Sequence, residues 1–109
     1  MLPYGDRAIL DVRKLVDYCL NPAHSRGRHK ARVFRDSLGM RQTDAAELRA
    51  LLLSAAAHEV ATALPGDAWG DRWQIDVPIL RQGRRAVVRT IWIFRSGEQI
   101  PRFVTCWIL

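Results

Sequence analysis

The sequence predicts an α+β fold, with two to three N-terminal helices packed on a C-terminal antiparallel three-stranded or larger β-meander. Three observations carry that expectation. Apolar residues recur at helical spacing from Val12 to about Thr62. Leu64-Pro65-Gly66-Asp67 then breaks the chain, and from Arg72 onward apolar and polar residues alternate. The 109 residues suffice for one core and not for two, so residues 1–109 read as a single domain.

The first helix is expected over Asp11–Leu20. Val12, Leu15, Val16, Cys19 and Leu20 share its apolar side, Asp11 caps its start, and Asn21-Pro22 stops it. A second helix over Arg28–Leu38 presents Ala31, Phe34 and Leu38, with Gly39 supplying the left-handed residue that ends many helices. The third should be the longest, Asp44–Thr62, with Leu48, Leu51, Leu52, Ala55 and Ala56 as its stripe. Thr43 or Asp44 caps it, with Glu47 three residues after Asp44 as in a capping box. Trp73, Ile75, Val77 and Ile79 mark a first strand, which Pro78 assigns to a sheet edge or a bulge. Arg81-Gln82-Gly83-Arg84 is a turn. Arg85–Arg95 is a strand with Ala86, Val88, Thr90, Trp92 and Phe94 on one face and Arg85, Val87, Arg89, Ile91, Ile93 and Arg95 on the other. After a turn at Ser96–Gln99, a strongly apolar strand over Ile100–Leu109 reads as internal to the sheet.

Lys and Arg number 17 against 11 Asp and Glu, a net charge of +6, so polyanions are the first partner class to consider. Cys19 and Cys106 are two cysteines without a CxxC, which points to buried thiols rather than a zinc site or a disulfide framework. No run approaches the roughly 20 apolar residues of a membrane helix, and the first residues lack the layout of a signal peptide. A cytoplasmic protein without a membrane partner is therefore expected. The sequence has no Gly-rich phosphate loop, GxSxG, HExxH or clustered carboxylates, so neither a metal nor a small-molecule cofactor is expected.

Two basic clusters stand out. Arg26, Arg28, His29, Lys30, Arg32 and Arg35 fall within ten residues with no acid among them, and Arg81, Arg84, Arg85, Arg89, Arg95 and Arg102 have Glu98 as the one acid between positions 77 and 109. If the second helix packs on the meander, the clusters converge on one basic face; otherwise they are two separate solvated surfaces. Arg89 stands mid-strand on a partly apolar face, so it must be paired, reach solvent, or line a cleft where its planar donors clamp phosphate. Metal-independent RNA cleavage needs a proton acceptor, a proton donor and cations for the phosphorane, and His carries protons best near neutral pH. His24 and His29 lie beside the first cluster and suit that work, although His24 fits a turn-capping role as well and His29 an exposed helix position. His58, near a helix end, reads as structural. Thr105 is either a strand former or a phosphate hydrogen-bond donor. Trp69, Trp73, Trp92 and Trp107 read as core or sheet aromatics, one of which is available to stack a base.

The segment Tyr18-Cys-Leu-Asn-Pro-Ala-His-Ser-Arg-Gly-Arg-His-Lys-Ala-Arg-Val-Phe, followed by Leu38-Gly39, resembles an uncharacterised bacterial family of small domains found alone and as tail domains of adhesin-like secreted proteins. The matching residues are Leu20, Asn21, Pro22, His24, Gly27, Lys30, Ala31 and Phe34, then Val88, Arg89, Thr90, Trp92, Val104 and Thr105. Ser25 stands where that pattern has Pro, and Trp107 where it has Tyr, which puts any chemical role of that Tyr in doubt. Helices followed by a meander, in such a tail domain, are similar to the barnase–EndoU–colicin–RelE group of ribonuclease toxins, a fold-level analogy. The resemblance implies a catalytic set of His24, His29, Lys30, Arg89 and Thr105 between helices and sheet, with Lys30 and Arg89 on phosphate. Nucleic-acid contacts from Arg26, Arg28, Arg32, Arg85 and Arg102 would accompany it. It also implies RNA as substrate and a cognate antitoxin or immunity protein. Two other readings stay open: a non-catalytic nucleic-acid-binding domain using the same arginines, and a protein-interaction module presenting an apolar patch at Val87, Ile91 and Ile93.

Overall fold

The computed structural model describes residues 1–109. A layer of helices covers one face of a four-stranded antiparallel sheet of order β1-β2-β3-β4. The helices α1 (Arg28–Leu38) and α2 (Ala45–His58) precede the strands β1 (Thr62–Ala63), β2 (Gly70–Arg81), β3 (Arg84–Arg95) and β4 (Arg102–Ile108). The core lies between the layers: Phe34, Leu38, Leu48 and Leu52 from the helices meet Ile75, Val77, Val88, Trp92, Phe103 and Cys106 from the sheet. The α+β class, with helices first and strands after, is the one expected.

The α1 helix falls where periodicity placed it, and Gly39 ends it at φ 66°. The first helix is different in kind. Asp11 caps it through Oδ1 on the Arg13 amide, 2.9 Å, but Leu15–Cys19 is a π-turn closed by the Leu20 amide on the Leu15 carbonyl, 2.8 Å. The extra residue in that turn lets Leu15, Cys19 and Leu20 all be buried. The α2 helix stops at His58, four residues before the expected end, because the chain turns extended at Glu59 to form β1. Leu51 is 36% exposed and lies outside the stripe. Asp44 accepts a bond from the Arg41 amide, 2.9 Å, and so caps the short 3-10 turn Gln42–Asp44 instead of pairing with Glu47, which holds Arg81.

The β2–β3 hairpin turns through Gln82 and Gly83 at φ 51° and 77°, the positive values that a two-residue turn between twisted strands requires. Gln82 is therefore strained, and Gln82→Asn, which tolerates that conformation better, should stabilise the domain by about 0.5–1 kcal/mol, read as a higher urea midpoint.

Pro78 sits opposite Val87, whose carbonyl faces β4 and accepts from the Leu109 amide. The Pro78 nitrogen accordingly faces the other side of β2, where β1 covers only Trp73 and Gln74, so no ladder bond is lost. The final strand is an edge, not an internal strand, and begins at Arg102. Its apolar character has another cause. Phe103 and Cys106 enter the core, while its outer edge is bonded by the N-terminal segment. The Ile9 amide donates to the Pro101 carbonyl, the Phe103 amide to Ile9, and Lys14 Nζ to the Phe103 carbonyl. No helix is long and apolar enough to cross a membrane.

Candidate functional site at the β4 edge

Where α1 and the π-turn meet β4, residues distant in sequence come together. Lys30 leaves α1 toward the sheet edge, and its Nζ donates to Thr105 Oγ1 at 3.1 Å. The same ammonium lies 5.1 Å from the Tyr18 ring centre and 5.3 Å from that of Trp107. Two aromatic faces thus hold it by charge–quadrupole attraction. One extra residue, Val104, breaks the β3–β4 register just before Thr105. Such bulges bend a strand and re-aim its side chains.

Shallow grooves flank the pair. One, of about 480 Å³, is lined by His29, Lys30, Val33, Trp107 and Ile108. The other, of about 360 Å³, is lined by Lys14, Tyr18, Val104 and Thr105. Burial, and next the Arg95 charge, lower the pKa of the Lys14 ammonium. Beneath Thr105, its Oγ1 lies 3.9 Å from Cys19 Sγ. A hydrogen bond from Cys106, helped by Thr105 and the Lys30 charge, brings the Cys19 thiol down to about 6, while the same pairing and burial push Cys106 up. Both cysteines are free and buried.

His24 is near but already employed. Its Nδ1 accepts the Arg26 and Gly27 amides, 3.0 and 2.9 Å, and its ring stands edge-on to Tyr18 at 4.7 Å. That nitrogen is thus occupied as an acceptor by the turn. His24 builds the turn that leads into α1. Gly27 is required in that turn, because a Cβ there would lie 2.4 Å from the Tyr18 carbonyl oxygen. His29 is exposed on α1 and free of such a role.

Arg89 does not join the set as a phosphate clamp. It stands opposite Trp107 in the register, but its guanidinium turns to β2 and grips Asp76 through two bonds of 2.9 and 3.0 Å. The Gln74 amide oxygen, in its better orientation, accepts from the same group. Arg89 holds the Asp76 carboxyl below the ordinary aspartate range. A depressed folded-state pKa adds stability at neutral pH that is lost as pH falls through it. Asp76→Asn should lower the urea midpoint at neutral pH and flatten its decline toward about pH 2, the two curves meeting in strong acid.

The second basic cluster likewise disperses. Arg81 binds Glu47, Asp44 and the Leu38 carbonyl, and Arg84 reaches the Arg35 and Asp36 carbonyls at the end of α1. Arg102 pairs with Glu98. Arg85 and Arg102 stand opposite Leu80 and Ile93, near the two ends of the sheet and roughly 26 Å apart along β3. Arg26 is exposed on the turn, whereas Arg28 and Arg32 line a groove with Arg35 and Arg41. Apart from Arg84, which reaches the Arg35 end of α1, the second cluster does not merge with the first. On the sheet's outer face Ile91 and Ile93 are each 9% exposed and Val87 37%, so these three do not together form an exposed patch; Val87 instead adjoins exposed Pro78 and Leu109.

Lys14, Tyr18 and Trp107 were not singled out as site residues from the sequence. Lys14 and Tyr18 lie four residues apart, both just ahead of Cys19, so a helical reading that allowed for an edge strand above them would have found both.

The profile of a domain of unknown function, DUF6883, matches residues 1–109. The chain belongs to this family. The match spans both halves of the DUF6883 domain, the helical segment that carries Lys30 and the strand that carries Thr105. No curated protein and no solved structure matches it.

Proposed function

We propose that this DUF6883 domain acts on RNA as a metal-independent endoribonuclease of the bacterial toxin kind, working at the β4 edge. The observation that carries the reading is the Lys30–Thr105 bond, which joins the basic helix to a strand 75 residues away beside an exposed histidine. In this reading Lys30 and Lys14 face the phosphate and stabilise charge as the phosphorane forms, and Thr105 fixes the Lys30 ammonium. His29 is the proton carrier. His24 is a positioning residue, since its Nδ1 holds the turn. The reading also includes a cytoplasmic site of action on the cell's own RNA and an acidic antitoxin or immunity protein that covers the basic surface.

Non-catalytic RNA binding is the second reading. The engagement of His24 by two amides and of Arg89 by Asp76 favours it, because both groups are removed from chemistry.

The test is incubation of the purified domain with total tRNA and mRNA in EDTA, beside His29→Ala/Lys30→Met. Discrete fragments from the wild type and none from the variant support the enzyme. Intact RNA at excess folded protein rejects it in favour of the binding module.

A further inference from the structure

A different face of α1 carries a second constellation. A groove of about 570 Å³ has Arg28, Arg32 and Arg35 on one wall and Arg41, Gln42 and Thr43 on the other, over Leu20, Pro22, Ala31 and Met40. The three α1 arginines, at i, i+4 and i+7, form a row about 10 Å long. No acidic side chain lines the groove.

What sets the row apart is that its arginines gather around one cleft with almost no carboxylate to neutralise them. Arg72, Arg81, Arg89 and Arg102 are matched by Asp67, Glu47, Asp76 and Glu98. Arg28, Arg32 and Arg41 make no ion pair. Arg28 bonds only the Ser25 carbonyl, and Arg35 meets Asp36 at 3.3 Å with both side chains more than half exposed, a weak contact. Four guanidiniums around one cleft repel one another, and an anion relieves that repulsion.

The floor decides which anion. Leu20, Ala31 and Met40 are 2%, 4% and 1% exposed, which leaves Pro22 as the one exposed apolar residue of the floor, so an amphipathic helix laid here would lack the cluster of central anchors on which protein interfaces depend. A phosphodiester backbone needs none. It offers repeated anionic groups that guanidiniums bind in bidentate fashion. We infer that this groove is a backbone-binding site for single-stranded RNA, separate from the β4 edge. The inference rests on the RNA-acting reading for the identity of the polymer and not on cleavage.

The experiment is fluorescence anisotropy with a labelled oligouridylate of about twelve nucleotides, within the range that single-strand sites occupy. Wild type is compared with Arg32→Gln/Arg41→Gln and, as a remote control, with Arg7→Gln, an exposed arginine on the turn packed against the C-terminal end of α2. The double variant should bind at least about tenfold more weakly and lower the slope of log affinity against log salt by about 1.4, two phosphate contacts on a single strand. Arg7→Gln should stay near wild type. Wild-type affinity in the double variant overturns the inference. So does displacement of the RNA by polyglutamate at equal charge, which would assign the groove to an acidic protein. Cleavage assayed on the same proteins separates the two ideas. Arginine-dependent binding without cleavage removes the ribonuclease and keeps the groove. Cleavage with binding indifferent to Arg32 and Arg41 removes the groove and keeps the ribonuclease.

Discussion

Trp92→Ala should cost about 3–5 kcal/mol of stability, a large share of the 5–15 kcal/mol typical of a domain, and leave a measurable unfolded fraction at 37 °C. Trp92 is fully buried, its ring edge-on to Phe103 at 5.5 Å. Its Nε1 donates to Thr90 Oγ1 at 2.9 Å, and that hydroxyl donates to the Ile75 carbonyl at 2.8 Å. Thr90 is the one buried polar residue of the protein. The indole thus fills the centre of the sheet's inner face and satisfies its N–H there. Trp92→Phe keeps most of the ring and leaves the Thr90–Ile75 bond intact, so about 1–2 kcal/mol is expected. Thr90→Val strands the indole N–H in the core and should cost about 1–3 kcal/mol although its shape is conserved. A Thr90→Val/Trp92→Phe double variant that loses less than the sum of its parts would confirm one shared bond. Strict additivity in urea denaturation would deny the coupling.

How far the fold is legible in the sequence depends on what decides each element. Helix α1 and strand β3 are decided by local pattern and a terminal signal, Gly39 in one case and the Gln82-Gly83 turn in the other, and both fall where expected. Where a distant contact decides, pattern fails. Nothing local distinguishes the π-turn at Leu15–Cys19 from α-helix, because the extra residue is selected by burial of Cys19 and Leu20 together. The apolar β4 reads as internal because periodicity reports burial, and the helical layer buries Phe103 and Cys106 although the strand lies at the sheet edge.

The candidate site divides in the same way. Lys30 and Thr105 carry a resemblance pattern and do meet, whereas Arg89 shares that pattern and is engaged elsewhere. Its partner was readable in principle. A two-residue turn pairs Arg81 with Arg84, and five steps back along each strand lead to Asp76 and Arg89. Asp76 lies one residue ahead of the acid-poor stretch that begins at position 77. His24 is harder. Its two amide donors lie within three residues, yet no composition rule separates a histidine that caps a turn from one that moves a proton, and only the Nδ1 geometry decides.

On the proposed ribonuclease reading, Lys30→Met should leave the fold intact by circular dichroism and lower kcat for RNA cleavage by about 10²–10³-fold, the scale of losing one charge donor to a developing oxyanion. The methionine stem occupies the slot between Tyr18 and Trp107, so packing changes little while the ammonium is gone. If Lys30 acts mainly on the transition state, kcat and kcat/KM fall together and KM stays near wild type. A rise in KM alone would make Lys30 a ground-state binding residue. Thr105→Val provides the second arm. It removes the 3.1 Å anchor while the charge remains, so its loss should be smaller and should appear mostly in kcat, as expected for a positioning residue. Lys30→Arg should recover little, because a planar guanidinium cannot occupy a position shaped for a compact ammonium held by two rings and one hydroxyl. Full activity in Lys30→Arg would mean that any cation suffices at the β4 edge, and the precise Lys30–Thr105 geometry would then lose its claim to the chemistry.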